Sequence, residues 1–461
     1  MMRLSLNYIP MEFRKYNEEY YQKVCNFLIE LNKSDNSHIN WNWARFEWMR
    51  EHPWFKSELI DSIGLWFDND RIVGVAIYDM YFGEAFVGVL KEYDYLYEEV
   101  LDYAFNNLKD DSGLGIAIND NNLKEIEIAK KHGFSINEQT ENMMVIDLKE
   151  KLPIKLMDGL SFYTEDKPNE IREIQWVIWQ GFDHGNDRDE FERTEAPITK
   201  TRKHLNPYLN VSIVDKMKTR VAFASVWYDP STDYAYVEPV CVIPEYRGKS
   251  VGVALVRECL NRAGILGAKK AYVGSDNEFY RKVGFKDLYH YTFYWKRNVI
   301  EVNSIPYQII KLLGKGKGGY SYLAEREGKQ YVVKQIHHEP CDYYQFGNKI
   351  EAELHDYQRL INAGIRIPKM IDIDKGNERI LKEYIDGKTI AEMINDGESV
   401  EEYIPQVEEM ARLAKEVGLN IDYYPTNFIP QNGLLYYVDY ECNDYMEEWS
   451  FPVWGIKHWK K

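Results

Sequence analysis

The chain has 461 residues, room for about three domains of ordinary size. A formal net charge of -17 speaks against a nucleic-acid partner, because phosphate backbones require a basic face. The five cysteines are scattered without a C-x-x-C pair and suggest neither a disulfide framework nor a zinc site. With no apolar run long enough for a bilayer and no signal-peptide pattern, a soluble, cytoplasmic protein without a membrane partner is expected.

Residues 1–150 read as mixed α/β from Met11 onward. Helical spacing runs over Glu18 to Leu31, an aromatic-rich segment over Trp41 to Trp54, and strands over Gly64 to Asp68 and Arg71 to Tyr78. A helix near Tyr95 to Leu108, a strand at Leu114 to Ile118, a helix ending at His132-Gly133-Phe134 and a strand at Met143 to Leu148 complete the segment. Trp41, Trp43, Trp48 and Trp54 suit an aromatic pocket for a cation or, as Trp more often does, a core.

Residues 151–300 repeat that order of elements. After a short strand at Gly159 to Tyr163 comes an amphipathic helix, Glu170 to Gly181, with Ile171, Ile174, Val177 and Ile178 inward. In the polar run that follows, Asp183 and His184 are candidate substrate contacts, although Asp and Asn in such runs also make ordinary turns and caps. An aromatic and β-branched strand, Tyr234 to Ile243, then leads into Pro244-Glu245-Tyr246-Arg247-Gly248-Lys249-Ser250-Val251-Gly252 and a helix with Val251, Ala254, Leu255 and Cys259 at helical spacing. Free N–H groups at such a helix start, left open by small residues, form a site for phosphate oxygens, and Arg247 and Lys249 add positive charge. Glu238 precedes this turn, and Pro239 cannot donate to a ladder, so a bulge is expected there. A strand at Ala271 to Gly274, the run Ser275 to Phe285 and a closing strand at Tyr291 to Trp295 finish the repeat.

This ordered set resembles the GNAT acyl-CoA-dependent N-acetyltransferases, whose acetyl-CoA loop reads Arg/Gln-x-x-Gly-x-Gly/Ala and whose later signature places a Tyr four residues before Gly-Phe. Tyr280, Gly284 and Phe285 fit, and Ser250 stands where the middle Gly is usual. The resemblance implies acetyl-CoA held at Val242, Arg247, Gly248, Lys249, Ser250, Val251 and Gly252, with its thioester arm in the gap beside Glu238 and Pro239. It further implies Glu238 as general base, directly or through water, Tyr280 as the acid that protonates the leaving sulfur, and a small-molecule amine as acceptor. Residues 1–150 lack the loop and carry Ala129 where the second repeat has Tyr280. They are expected to be a degenerate copy that packs against the second and helps shape its cleft.

Residues 301–461 open with Gly314-Lys315-Gly316-Lys317-Gly318-Gly319 between two strands, where a Rossmann turn would lead into a helix. Lys334 lies in the strand Gln330 to Ile336, and Glu353 on the helix Lys349 to Ala363 can pair with it. Leu381 to Ile385 reads as a hinge, Asp422 precedes Asn427 by five residues, and Asp439 closes a strand at Leu434 to Val438. Together these resemble a small member of the protein-kinase/aminoglycoside-phosphotransferase fold. That resemblance implies ATP and Mg²⁺, with Lys334 on the phosphates, Asp422 orienting an acceptor hydroxyl, and Asn427 and Asp439 on the metal. Asn420 in place of the usual His, Tyr440-Glu441 in place of Phe-Gly and a short remaining chain depart from the pattern.

The expected fold is therefore α/β (α+β): two tandem GNAT-like mixed-sheet domains, 1–150 and 151–300, followed by a small kinase-like domain, 301–461. An acetyltransferase with active second repeat is the leading reading. A phosphotransferase that uses the repeats as a ligand-binding module, and a non-catalytic sensor of acetyl-CoA and ATP, are the alternatives.

Overall fold

A computed structural model describes residues 11–33, 36–50, 52, 54–164, 171–194, 206–339 and 347–460. Glu170, the expected helix start, and Cys341 lie outside the described residues. The chain divides into two units, Met1–Lys296 and Arg297–Lys461.

In the first unit the period-2 and period-3.6 patterns alternate. The first repeat comprises β1 (Glu12–Lys15), α1 (Tyr21–Leu31), α2 (Trp43–Met49), β2 (Gly64–Asp68), β3 (Arg71–Tyr78), β4 (Glu84–Val89), α3 (Tyr97–Asn107), β5 (Gly113–Asn119), α4 (Leu123–Lys131) and β6 (Ser135–Asp147). The second comprises β7 (Ser161–Thr164), α5 (Ile171–Gly181), α6 (Arg188–Arg193), β8 (Asn210–Val214), β9 (Arg220–Tyr228), β10 (Tyr234–Val242), α7 (Val251–Leu266), β11 (Lys270–Gly274), α8 (Glu278–Val283) and β12 (Lys286–Arg297). Two differences from expectation have plain causes. β4, interrupted by Gly88, shows no alternation to read, and β6 begins at Ser135 because its polar first half pairs with another strand instead of covering a core.

All twelve strands form one sheet, in the order β1-β2-β3-β4-β5-β12-β6-β11-β10-β9-β8-β7. The last strands have changed places: β12 of the second repeat lies beside β5 of the first, and β6 of the first lies beside β11 of the second. They pair antiparallel with each other, from Lys286↔Val145 to Trp295↔Ser135. One sheet thus runs on both sides of the expected boundary at 150, within a single unit.

Specific contacts hold the exchange. A side chain at Gly115 of β5 would stand 2.4 Å from the Trp295 ring, so the missing Cβ is what lets β12 dock. The Tyr291 hydroxyl donates to the Ser37 carbonyl at 3.0 Å, and His290 meets Asp120 at 2.6 Å. β6 is two-faced: Met143 joins the core of the first repeat, whereas Met144 and Ile146 join that of the second. The first core also takes Trp227, Tyr236, Tyr272 and Tyr291 from the second repeat. Trp41 and Trp43 are buried in it and Trp48 is half-buried, while Trp54 is exposed.

The second unit opens with β13 (Val299–Val302), β14 (Ile305–Lys315), β15 (Gly319–Arg326) and β16 (Lys329–Ile336), followed by α9 (Lys349–Asn362), β17 (Met370–Asp374) and β18 (Arg379–Glu383). These strands make an antiparallel sheet in the order β13-β14-β15-β16-β18-β17. Then come α10 (Ile390–Asn395), α11 (Ile404–Glu416), β19 (Leu419–Ile421), β20 (Phe428–Gln431), β21 (Leu434–Tyr437), β22 (Cys442–Asp444) and α12 (Ile456–Trp459). Two short ladders, β19 with β22 and β20 with β21, end the unit. Among the described residues no helix is long and apolar enough to cross a membrane.

Candidate functional site

The site of the first unit is built where β10 stops being a regular strand. Its pairing with β9 slips between Val237 and Val240, leaving Glu238 and Pro239 as the expected bulge. The Glu238 carbonyl freed by the slip accepts from the Trp227 indole at 2.7 Å. On its other edge, β10 runs parallel to β11 only as far as Tyr236↔Tyr272, and the two strands then part.

Glu238 and Tyr280 interact electrostatically at this gap. Burial raises the Glu238 carboxyl to about 7, with Arg45 pulling the other way, so the group exchanges its proton near neutrality. Burial, and next the Glu238 charge, raise the Tyr280 phenol, which stays protonated at that pH. The Tyr280 ring is fixed edge-on between Phe279, at 4.9 Å, and Phe285, at 5.7 Å.

From β10 the chain passes through a short 3-10 turn, Pro244–Tyr246, into α7. Ser250, just before the helix, has φ of +59° and makes no capping bond through its side chain, so the first N–H groups of α7 are left to an incoming acceptor. Gly252 brings α7 close to its neighbours: a Cβ there would lie 2.9 Å from Phe279 and 3.2 Å from Val242.

The two cations of the loop are engaged with the protein. Arg247 donates to the Val242 carbonyl at 3.0 Å and the Gly181 carbonyl at 2.8 Å, and pairs with Asp183 at 3.0 Å. Lys249 donates to the Glu245 carbonyl at 2.8 Å. Both therefore brace the loop, and Asp183 is the partner of Arg247. The His184 ring rests 4.8 Å from that of Trp179.

Beside the loop lies a cavity of about 380 Å³ lined by Lys155, Met157, Lys249, Ser250, Val253 and Arg257, among others. Lys155 and Arg257 escape a reading confined to the loop. The signal for Arg257 is its spacing, since Ser250, Val253, Ala254 and Arg257 form one stripe of α7.

In the second unit, Lys334 on β16 is paired with Glu353 on α9 and lies 3.9 Å from Asp439. Burial alone would lower Lys334, but Glu353 and Asp439 hold it charged. Burial alone would raise Asp439, but Lys334, Lys382 and the backbone N–H of Tyr440 keep it low. Among the described residues nothing lies within 4 Å of a Cβ at Gly314 or Gly316, whereas a Cβ at Gly319 would lie 2.5 Å from the Gln335 carbonyl oxygen. The tip of this hairpin is tied down by Lys317, which pairs with Glu441 at 2.8 Å. Asp422 is exposed, and Asn427 donates to its carbonyl at 3.4 Å. Lys382, in the stretch that reads as a hinge, was not expected as a site residue. It is 4% exposed, lies 4.1 Å above the Tyr440 ring, and is pushed by burial, and then by Lys334, down to about 8. Among the described residues no group of three or more His, Cys, Asp or Glu is placed to hold a metal ion.

Comparison with known proteins places part of this chain. Residues 169–285 match the acetyltransferase (GNAT) family. No curated protein matches the chain. Among solved structures, a GCN5-related N-acetyltransferase from Sphaerobacter thermophilus is 14% identical, with 62% of this chain and 95% of that one covered and a TM-score of 0.42. A tandem GNAT protein from the clavulanic acid biosynthesis pathway is 12% identical, with 62% and 98% covered and a TM-score of 0.42. A GNAT-family acetyltransferase from Colwellia psychrerythraea is 12% identical, with 63% and 100% covered and a TM-score of 0.39. The bulge, the loop and the phenol all fall within the stretch, 169 to 285, that matches the GNAT acetyltransferase family.

Proposed function

We propose that the first unit is an acetyl-CoA-dependent N-acetyltransferase acting on a small amine, with its chemistry in the second repeat. The observation that carries this reading is the bulge at Glu238 and Pro239, where β10 parts from β11 beside a helix start with open N–H groups. The residues present suit the cofactor. Val242, Arg247 and Gly252 fix the shape of the loop, Gly248, Lys249, Ser250 and Val251 carry the backbone that would meet the diphosphate, and Lys155 and Arg257 add positive charge at the neighbouring cavity.

Acetyl-CoA, when bound, supplies an activated acetyl group. Glu238 takes the proton that the amine loses as it forms its amide bond, directly or through a water. Tyr280 gives its proton to the thiolate released when the thioester bond breaks. Each positioned proton transfer contributes roughly 10²- to 10⁴-fold in rate, about 3–5 kcal/mol of barrier. Release of free CoA from acetyl-CoA, measured across a panel of small amines, tests the reading. CoA release that depends on an amine supports it. No release with any amine, together with no heat of acetyl-CoA binding, sinks it.

A second reading belongs to the second unit, and the Lys334–Glu353 pair beside Asp439 favours it: nucleotide binding with Mg²⁺. Gly314, Gly316 and Gly319 would cover the phosphates, Lys334 would neutralise them, Asn427 and Asp439 would hold the metal, and Asp422 would orient an acceptor hydroxyl. Calorimetry with Mg·ATP is expected to give heat that Asp439→Asn removes, and no heat with the unaltered chain would exclude the assignment. A cytoplasmic setting, where both cofactors occur, suits the buried free thiols of Cys25, Cys241, Cys259 and Cys442.

A further inference from the structure

Strand register fixes which side chains share the face above the gap. Tyr236 is level with Tyr272, and Tyr272 with Val145; one step along, Gly274 is level with Met143. A side chain at Gly274 would meet the Tyr236 hydroxyl at 3.3 Å and the Met143 sulfur at 3.7 Å, so these two groups close over the bare backbone. Because side chains alternate along β6, Glu141 shares the face of Met143, and Glu238 follows Tyr236 by two residues at the start of the bulge. Tyr236, Tyr272 and Met143 belong to the same core as the buried residues of α2.

Arg45 of α2 stands over this face. Its guanidinium donates to the Asn40 carbonyl at 2.9 Å, pairs with Asp79 at 3.0 Å and with Glu141, and rests 4.8 Å above the Trp41 ring. The aromatic cluster thus holds a cation, and the cation is the protein's own. The remaining Asp79 oxygen is buried and has no hydrogen-bond partner among the described residues.

We propose that Arg45, carried by the first repeat, is a positioning residue for acetyl transfer in the second: anchored by Asp79 and Glu141 over the face that leads to Glu238, its guanidinium supplies the charge against which the Glu238 carboxylate is held ready as base. This rests on the role given to Glu238 above. The groups that act on Glu238 and its surroundings are Arg45 on α2, Tyr236 on β10, Tyr280 on α8, Glu141 on β6, Asp79 just after β3 and Glu84 on β4. Arg45 is the cation among them, and the carboxylates compete for it. Whatever frees Arg45 from Asp79 or Glu141 favours ionised Glu238, and whatever removes Arg45 favours the protonated form.

The test is the pH dependence of kcat/KM for the full chain with acetyl-CoA and an accepted amine. The unaltered protein is expected to lose activity below about pH 7, as Glu238 takes up its proton. Arg45→Gln is expected to move that limb up by about one pH unit, lowering the rate at pH 7 roughly fivefold and leaving it within about twofold at pH 9. Arg45→Lys keeps the charge and is expected to hold the limb near its original position. Glu141→Gln releases Arg45 and is expected to move the limb the opposite way, and it decides the matter alone should Arg45→Gln not fold.

An equal loss at every pH in Arg45→Gln, or a limb that does not move in either variant, overturns the proposal. The base assignment is tested separately. If Glu238→Gln retains both rate and limb, the role of Glu238 fails and this inference with it. If Glu238→Gln abolishes the limb while Arg45→Gln leaves it in place, only the inference about Arg45 fails.

Discussion

Parallel pairing between β4 and β5 stops after Ala85↔Ile116, as that between β10 and β11 stops after Tyr236↔Tyr272, so both repeats of the first unit carry the same wedge. A cavity of about 640 Å³, lined by Leu31, His38, Leu90, Tyr97 and Ile128 among others, lies at the first of them. What differs is the chemistry at the mouth. After β4 comes a 3-10 turn, Lys91–Leu96, with Glu92 and Asp94 in its first turn, paired to Arg71 and Lys124. Glu98 and Glu99 then fill the first turn of α3, the favourable end of its dipole, where the first turn of α7 carries no acidic residue. Further on, α4 buries Ala129 where α8 presents Tyr280. A wedge is cheap to keep because it is a property of the sheet. The capacity to react rests on a handful of side chains, and those can be lost without disturbing the fold.

The sharpest way to break this contrast is Tyr280→Phe. It is expected to lower kcat by about 10²- to 10⁴-fold, while acetyl-CoA affinity measured by calorimetry changes by no more than about twofold. A parallel loss of affinity would place the phenol in binding.

The raised carboxyl of Glu238 gives the next largest effect. Its folded value of about 7 lies above the ordinary 4.5, so the folded chain holds the proton more tightly. That contribution to stability is fully present below pH 4.5 and is lost as pH rises through 7. Glu238→Gln cannot ionise and should therefore be more stable than the parent by about 2–3 kcal/mol at pH 8, with little difference at pH 5. Equal denaturation midpoints at both pH values would contradict this.

Ala129→Tyr attempts to restore the missing phenol. Ala129 is fully buried, so the substitution overpacks α4 and is expected to cost about 1–3 kcal/mol without adding a second equivalent of bound acetyl-CoA. Gly252→Ala would press on Phe279, and it is expected to weaken acetyl-CoA binding about tenfold, or about 1.4 kcal/mol, by the usual cost of overpacking. The smallest change is Ser250→Gly, which relieves a left-handed residue and should raise stability by roughly 0.5–1 kcal/mol in a denaturant titration.

The parts of the site that lie close in sequence could be read there. The bulge at Pro239, the small residues of the loop and the interval from Tyr280 to Gly284-Phe285 each depend on a few neighbouring residues, and each left a local pattern. Partnerships across the fold left none. Asp183 and Arg247 are far apart in the chain, and either alone reads as a surface charge. Arg45 sits among aromatic residues, and nothing in the spacing of Trp43-Ala44-Arg45-Phe46 ties it to a strand near Glu238. The exchange of β6 and β12 is invisible for a different reason: two closing strands of similar pattern fit either sheet half, and what decides between them is a distant match such as Gly115 with Trp295.

That exchange has a consequence for how such a chain can change over time. In this sheet β11 of the second repeat is covered by β6 of the first, and β5 of the first by β12 of the second. The final strand of each repeat is masonry in its neighbour's wall, so a change in that strand is felt on both sides and the two are bound to change together.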